Sequence, residues 1–299
     1  MHITIVGTGL IGCSLGLALK KLGHHVCGVD TNPEHLEDAL KMGGIDYFSE
    51  AEAAYAQTEL VVLCVPVDAV VKLLPNILNQ ISENAVVMDM GSTKLDICTL
   101  ADQHDQRERF VAVHPMAGVE HSGPKAAHVD LFLHARVIIC EAQRSSSHAL
   151  NKVLGILQEL KMKAIFMDAD EHDRQLALVS HLPQFIAYAL ASMEDFDKDS
   201  NKNWVELGGG GLQSSIRLGK SDANMWIPVF QQNKDYLLQY VENYIDQLNS
   251  IKNILREDKT DDLNTLIKHA NVNYEKLNYR NKKPTTTVVN QGAPKVFYS

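Results

Sequence analysis

The most constraining feature of this chain is Gly7-Thr8-Gly9-Leu10-Ile11-Gly12, a G-x-G-x-x-G run between the apolar stretch Ile3–Val6 and the amphipathic stretch Leu10–Leu22. In a strand–turn–helix unit the first glycine makes the tight turn and the second lets the backbone approach a pyrophosphate. The third brings helix and strand into contact. The helix end that follows presents free N–H groups and the positive end of its dipole to a phosphate. The expectation is a dinucleotide cradle formed by Gly7, Thr8, Gly9, Leu10, Ile11 and Gly12.

The next strand-like run, Val26–Asp30, ends 18 residues beyond Gly12 on Asp30. A carboxylate there accepts hydrogen bonds from an adenine-ribose diol and repels a 2′-phosphate. Thr31 and Asn32 follow it, not arginine, so NAD is the expected cofactor and NADP the alternative. In a plainer reading Gly7–Gly12 is only a strand–helix turn and Asp30 a helix cap. Val65-Pro66, at the end of the run Leu60–Val65, either covers the cofactor or simply ends a strand.

Short apolar runs at Ile3–Val6, Val26–Asp30, Leu60–Val65, Ala85–Asp89, Val111–Val113 and Arg136–Cys140 alternate with helical patterns at Leu10–Leu22, Pro33–Met42, Val67–Ile81 and Lys94–Asp105. Strands this uniformly apolar are buried on both faces, which predicts an α/β, doubly wound, Rossmann-type domain over residues 1–166. Beyond it, Asp168–Met193, Asn224–Leu255 and Asp261–Arg280 are long, Leu/Ile-spaced and almost free of strand signals, predicting an all-helical domain over 167–280. The run Glu206–Leu212 holds four consecutive glycines and reads as a loop or hinge. Residues 281–299, rich in Pro, Thr and Gly, read as a loosely ordered tail.

Composition excludes several function classes. The chain of 299 residues carries 28 Lys and Arg against 37 Asp and Glu, a net charge of −9, which opposes general nucleic-acid binding. Five scattered cysteines without a C-x-x-C pair match neither a disulfide framework nor a metal site, and no metal is expected. With no long apolar run and no signal-like N-terminus, a soluble cytoplasmic protein without membrane association is expected.

Candidate chemistry collects at the carboxyl edge of the sheet, where open α/β folds bind ligands. Gly91-Ser92-Thr93-Lys94 follows one strand there, and His114-Pro115-Met116-Ala117-Gly118 follows the next. The helical half contributes His172-Asp173, Ser180-His181-Leu182-Pro183, Arg217, Ser221 and Met225-Trp226, with Pro183 expected to kink its helix.

Taken in order, the glycine loop, the GSTK run, HPMAG with Glu120 and Ser122 behind it, SHLP, and Arg217 with Met225-Trp226 resemble the prephenate/arogenate dehydrogenase family, from Met1 to about Leu255. The resemblance implies a Rossmann domain followed by a helical domain that dimerises, with the active site in the cleft between them. It implies oxidation of a 4-hydroxycyclohexadienyl acid: hydride passes from ring C4 to the nicotinamide, CO₂ departs and the ring becomes aromatic. In that scheme His114 is the base and Ser92 orients the hydroxyl. His181 binds substrate or shapes the pocket, Arg217 holds a carboxylate, Lys94 adds positive charge, and Glu120 stands near the pocket mouth. Lys125 and Lys220 are weaker candidates for that charge.

Two departures stand out: Gln184 replaces a second histidine after SHLP, and Gly211–Ile216 differs from the family's run before the arginine. A less cationic pocket tilts the substrate toward arogenate. Competing readings are a β-hydroxyacid or 6-phosphogluconate-type dehydrogenase, a 4-amino-4-deoxyprephenate dehydrogenase, and a non-catalytic NAD-binding scaffold.

Overall fold

The computed structural model describes residues 1–119, 121–193 and 207–282. Its first half is built on β1 (His2–Val6), β2 (His25–Val29), β3 (Tyr47–Phe48), β4 (Leu60–Leu63), β5 (Val86–Asp89), β6 (Phe110–Pro115), β7 (Arg136–Cys140) and β8 (Lys163–Met167). These form one sheet in the order β3-β2-β1-β4-β5-β6-β7-β8. All neighbours are parallel except β6 and β7, which pair antiparallel. β1 and β4 are neighbours, and the chain leaves β1 toward β2 but leaves β4 toward β5, in opposite directions, so a crevice opens beyond their carboxyl ends. The glycine loop leaves β1 at that point.

Both faces of the sheet are covered. Leu60, Val62, Met88, Val111 and Val113 pack with Leu15, Leu19, Val153 and Ile156 on one side. Val61, Leu63, Val87 and Phe110 pack with Leu74, Ile77 and Ile97 on the other. The period-2 alternation along β4 and β6 thus feeds two cores at once, which explains why these strands read as unbroken apolar runs. The covering helices are α1 (Leu10–Lys21), α2 (Pro33–Met42), α3 (Ala51–Ala56), α4 (Val67–Gln80), α5 (Leu95–Ala101) and α6 (Ser147–Glu159). α2 shows how local sequence sets a boundary: the Asn32 side chain accepts from the Glu34 N–H, Pro33 opens the helix, and Gly43 closes it at φ +80°.

The sequence pattern did not single out β3, β8, α3 or α6. The expected helix Lys94–Asp105 is shorter, Leu95–Ala101, and the strand expected at Val111–Val113 extends to Phe110–Pro115, placing His114 inside it.

In the helical half, α7 (Ala169–Leu176) and α8 (Leu182–Ala191) are joined by a π-helical turn, Ala177–His181. The expected distortion from Pro183 takes this form, because proline offers no N–H to continue the regular ladder. α9 (Gly210–Ile216) begins inside the glycine run, so Gly210 and Gly211 are helical. Their place in the first turn, where N–H groups need no intrahelical partner, accommodates them. A 3₁₀ turn, Arg217–Lys220, then leads to α10 (Ala223–Gln232), α11 (Lys234–Arg256) and α12 (Thr260–Lys282). The single helix expected over Asn224–Leu255 is therefore broken at Asn233. Of the expected tail, Asn281 and Lys282 end α12 and the rest lies outside the described residues.

Candidate active site

The glycine loop has the crowding its motif demands. A side chain on Gly7, at φ +91°, would lie 2.6 Å from the Cys64 carbonyl oxygen, and one on Gly12 would lie 1.9 Å from the Gly7 carbonyl oxygen. Gly9 has open space around it, on the side where a pyrophosphate would approach. Asp30 is bound into the same loop. Its Oδ2 accepts from the Thr8 N–H at 2.7 Å and the Thr8 hydroxyl at 3.0 Å, and its Oδ1 accepts from the Asn32 N–H at 2.9 Å. An ionised carboxylate offers about four acceptor positions, so one remains for a ribose hydroxyl.

Gly9, Leu10 and Ile11 form one end of a cleft of about 310 Å³ that runs along the sheet edge. Val65, Pro66, Gly91, Ser92, His114 and residues 117–119 and 121–123 continue its wall, and the helical half closes it with Ser221, Asp222, Met225 and Val229.

His114, largely buried, projects from β6 into this cleft and makes a chain of contacts behind it. Its Nδ1 lies 2.8 Å from His172 Nε2, and His172 Nδ1 lies 2.7 Å from Asp173 Oδ1. Asp173 also accepts from the Lys94 N–H at 2.8 Å and the Leu95 N–H at 2.9 Å, capping the start of α5 from the other half of the molecule. Burial, with His172 and Lys94 nearby, holds His114 well below the ordinary histidine range; burial also lowers His172, partly offset by Asp173. Neutral imidazoles follow at physiological pH.

Residues 15–166 match the nucleotide-binding domain of prephenate dehydrogenase, and residues 168–269 match its dimerisation domain. The chain belongs to the prephenate dehydrogenase family. The prephenate dehydrogenase of Lactococcus lactis is 31% identical over 253 residues, covering 83% of this chain and 70% of that one. The cyclohexadienyl dehydrogenase of Zymomonas mobilis is 28% identical, covering 84% of this chain and 87% of the relative. Among solved structures, prephenate dehydrogenase from A. aeolicus in complex with hydroxyphenyl propionate and NAD+ superposes with a TM-score of 0.84 at 26% identity, covering 93% of this chain and 98% of that one.

Within the prephenate dehydrogenase frame, the structure separates the residues expected from sequence. Ser92, His114, Val65 and Pro66 line the cleft with the glycine loop. Lys94 does not. Its side chain is fully buried and its Nζ is ion-paired with Asp89, itself fully buried at the end of β5. Asp89 also accepts from the N–H groups of Gly91 at 2.8 Å and Val113 at 3.0 Å. The Asp89–Lys94 pair thus braces the strand ends that carry Ser92 and His114, and the expectation that Lys94 meets substrate is corrected.

His181 is also buried behind the cleft, where its Nδ1 lies 3.0 Å from Asn233 Nδ2. The same amide donates to the Asp173 carbonyl at 2.7 Å, which accounts for the helix break at Asn233. Burial pushes His181 down to about 4, so its Nδ1 accepts and its Nε2 carries the proton. Among the described residues that Nε2 and the Trp226 Nε1 are buried without a hydrogen-bond partner, their rings edge-to-face at 6.0 Å. Neither His181 nor Trp226 lines the cleft, so His181 packs behind the segment that carries Met225 and Val229. Gln184 is buried too, donating to the Leu218 carbonyl at 2.7 Å, so it supports the Arg217–Lys220 turn from behind.

Arg217 is exposed on that turn, outside the cleft walls of the single chain. Lys125 is exposed and paired with Asp38 at 3.1 Å, away from the cleft. Glu120 lies outside the described residues. Sequence reasoning named His172 and Asp173 without a role and passed over Asp89. An adjacent His-Asp pair was the only visible signal for the first two.

Proposed function

We propose that this chain is an NAD-dependent dehydrogenase that oxidatively decarboxylates a 4-hydroxycyclohexadienyl acid, prephenate or arogenate, in tyrosine biosynthesis. The observation that carries the reading is one continuous cleft holding the glycine loop at one end and His114 with Ser92 at the other. The open space at Gly9, the crowding at Gly7 and Gly12, and the acceptor position left on Asp30 fit a dinucleotide, with Val65 and Pro66 over it. When bound, the nicotinamide supplies the hydride acceptor.

The chain's own residues do the rest. Ser92 orients the C4 hydroxyl, and His114 takes its proton as the C4 hydride departs. The bond from the ring to its carboxylate then breaks, its electron pair enters the ring, CO₂ leaves, and the new phenol oxygen recovers the proton from His114. Aromatisation drives the step, so orientation and charge placement are the protein's main contribution. Arg217 holds a substrate carboxylate once the rim is complete.

A homodimer with the division near residue 167 is part of this reading. Leu238, Ile245, Leu248 and Leu255 on α11 are each about half exposed in the single chain, and a second copy would cover them. Five free cysteines, four of them buried, suit a reducing cytoplasm, and among the described residues no helix is long and apolar enough to cross a membrane.

The test follows reduced-nicotinamide absorbance with prephenate and arogenate, each with NAD and NADP, for wild type and His114→Ala. Turnover with NAD that falls by roughly 10³-fold or more in the variant is expected. Inactivity toward both acids in protein that binds NADH would sink the assignment.

A further inference from the structure

We propose that His172 and Asp173 are positioning residues that fix which nitrogen of His114 carries its proton, and so make His114 a base and not a donor toward the cleft. This rests on His114 being the base of the proposed reaction. A neutral imidazole has one N–H and one lone pair, and its neighbours decide which is which. Asp173 is the end that cannot switch, since its carboxylate only accepts and already takes the N–H groups of Lys94 and Leu95. At 2.7 Å from Asp173 Oδ1, His172 Nδ1 must donate, because two lone pairs at that distance repel. His172 Nε2 is left as an acceptor. At 2.8 Å from it, His114 Nδ1 must donate in turn, which leaves the His114 Nε2 lone pair on the opposite edge of the ring.

Asp173 does a second thing at the same time. Ser92 lies two residues before Lys94, whose N–H is held by the carboxylate that orients His172. One side chain of the helical half thereby sets both the protonation pattern of His114 and the position of the loop bearing Ser92. Reaction partners held within a fraction of an ångström gain much of their rate from such placement.

The experiment is nitrogen-15 NMR of histidine-labelled, NAD-loaded protein, with kinetics of His172→Leu, His172→Gln and Asp173→Asn. In wild type the His114 proton sits on Nδ1. Asp173→Asn can donate to His172 and reverse the chain, so it loses kcat by ~10²-fold or more while the KM for NAD stays within about twofold. His172→Leu loses as much, and His172→Gln, which still offers an amide oxygen to His114, recovers about tenfold over leucine. A wild-type His114 protonated on Nε2, leucine and glutamine variants equally impaired, or a leucine variant near wild-type kcat would each overturn the proposal. Asp173→Asn also disturbs a helix cap, so the wild-type spectrum decides if that variant fails to fold. If neither cyclohexadienyl acid turns over, the reaction assignment falls and the spectrum still decides the tautomer.

Discussion

The two halves of this molecule satisfy their apolar surface differently. In the nucleotide-binding half each central strand is buried on both faces by helices of the same chain; Leu60 to Leu63 are all fully buried. In the helical half, α11 and α12 span 23 residues each, yet Leu237 is the only side chain described as buried among them. The first half is a finished core and the second presents a surface. Between them lies a polar seam of His114, His172, Asp173, His181 and Asn233, and the cleft opens beside it. The lesson is that the chemistry sits where a complete structural unit meets an incomplete one, so the seam must be rigid on its own account.

The most damaging way to break that contrast is to attack the finished half from beneath the seam. Lys94→Ala leaves the Asp89 carboxylate buried without its partner, and losing one member of a buried pair costs about 3–5 kcal/mol. Urea denaturation should register that loss, with the NAD affinity of the remaining folded protein close to wild type. Lys94→Ala with unchanged stability and a raised substrate KM would instead return Lys94 to the substrate.

Acid tests the seam itself. The folded-state pKa of His181 lies at about 4 against 6.5 for the free side chain, so the unfolded chain binds the proton first as pH falls. Its contribution to stability is fully present above 6.5 and is lost between about 6.5 and 4. A drop from 6.5 to about 4, at about 1.4 kcal/mol per pH unit, makes that roughly 3–4 kcal/mol, and His114 and His172 act in the same direction. Denaturation midpoints should therefore fall from just below pH 6.5, while kcat/KM with His114 as base holds to a lower pH, until the depressed His114 is protonated. A rate that falls with an ordinary histidine midpoint would contradict the buried, neutral His114.

How far the sequence could be read follows the same division. The turn at the glycine loop, the place of Asp30 at the end of its strand and the double-faced strands were legible because spacing and apolar runs are local signals. β8 was passed over because Lys163–Met167 stays partly exposed and lacks the fully buried signature of β4 and β5. Chain order alone locates Ser92 and His114 near the carboxyl edge of the sheet, and both line the cleft, although His114 lies inside its strand and not after it. Lys94 was misread because nothing in GSTK says that a lysine four carbons long turns back to Asp89. The break at Asn233 answers to Asp173 and His181, far away in sequence, and the relay behind His114 needs the same two halves to meet.

The smallest effect on the single chain is expected where the helical half is unfinished, and it sharpens the contrast most. On α11, Leu238, Ile245, Leu248 and Leu255 recur at spacings of 7, 3 and 7 residues, the seam of a packed helix pair, yet each is 47–58% exposed. Replacing Ile245 and Leu248 together by aspartate removes little burial within one chain, so its intrinsic stability should change by less than about 1 kcal/mol. If a second copy covers the seam, two buried charges there are unaffordable, and sedimentation at micromolar concentration should show monomer where wild type is dimeric. The NAD affinity of that monomer should stay near wild type, because the glycine loop and Asp30 belong to the finished half. Its turnover should fall, because Arg217, the carboxylate holder of the proposed reaction, does not line the cleft of the single chain. A wild type that sediments as a monomer with full turnover would mean that both halves are complete, and that Arg217 reaches the cleft from its own chain.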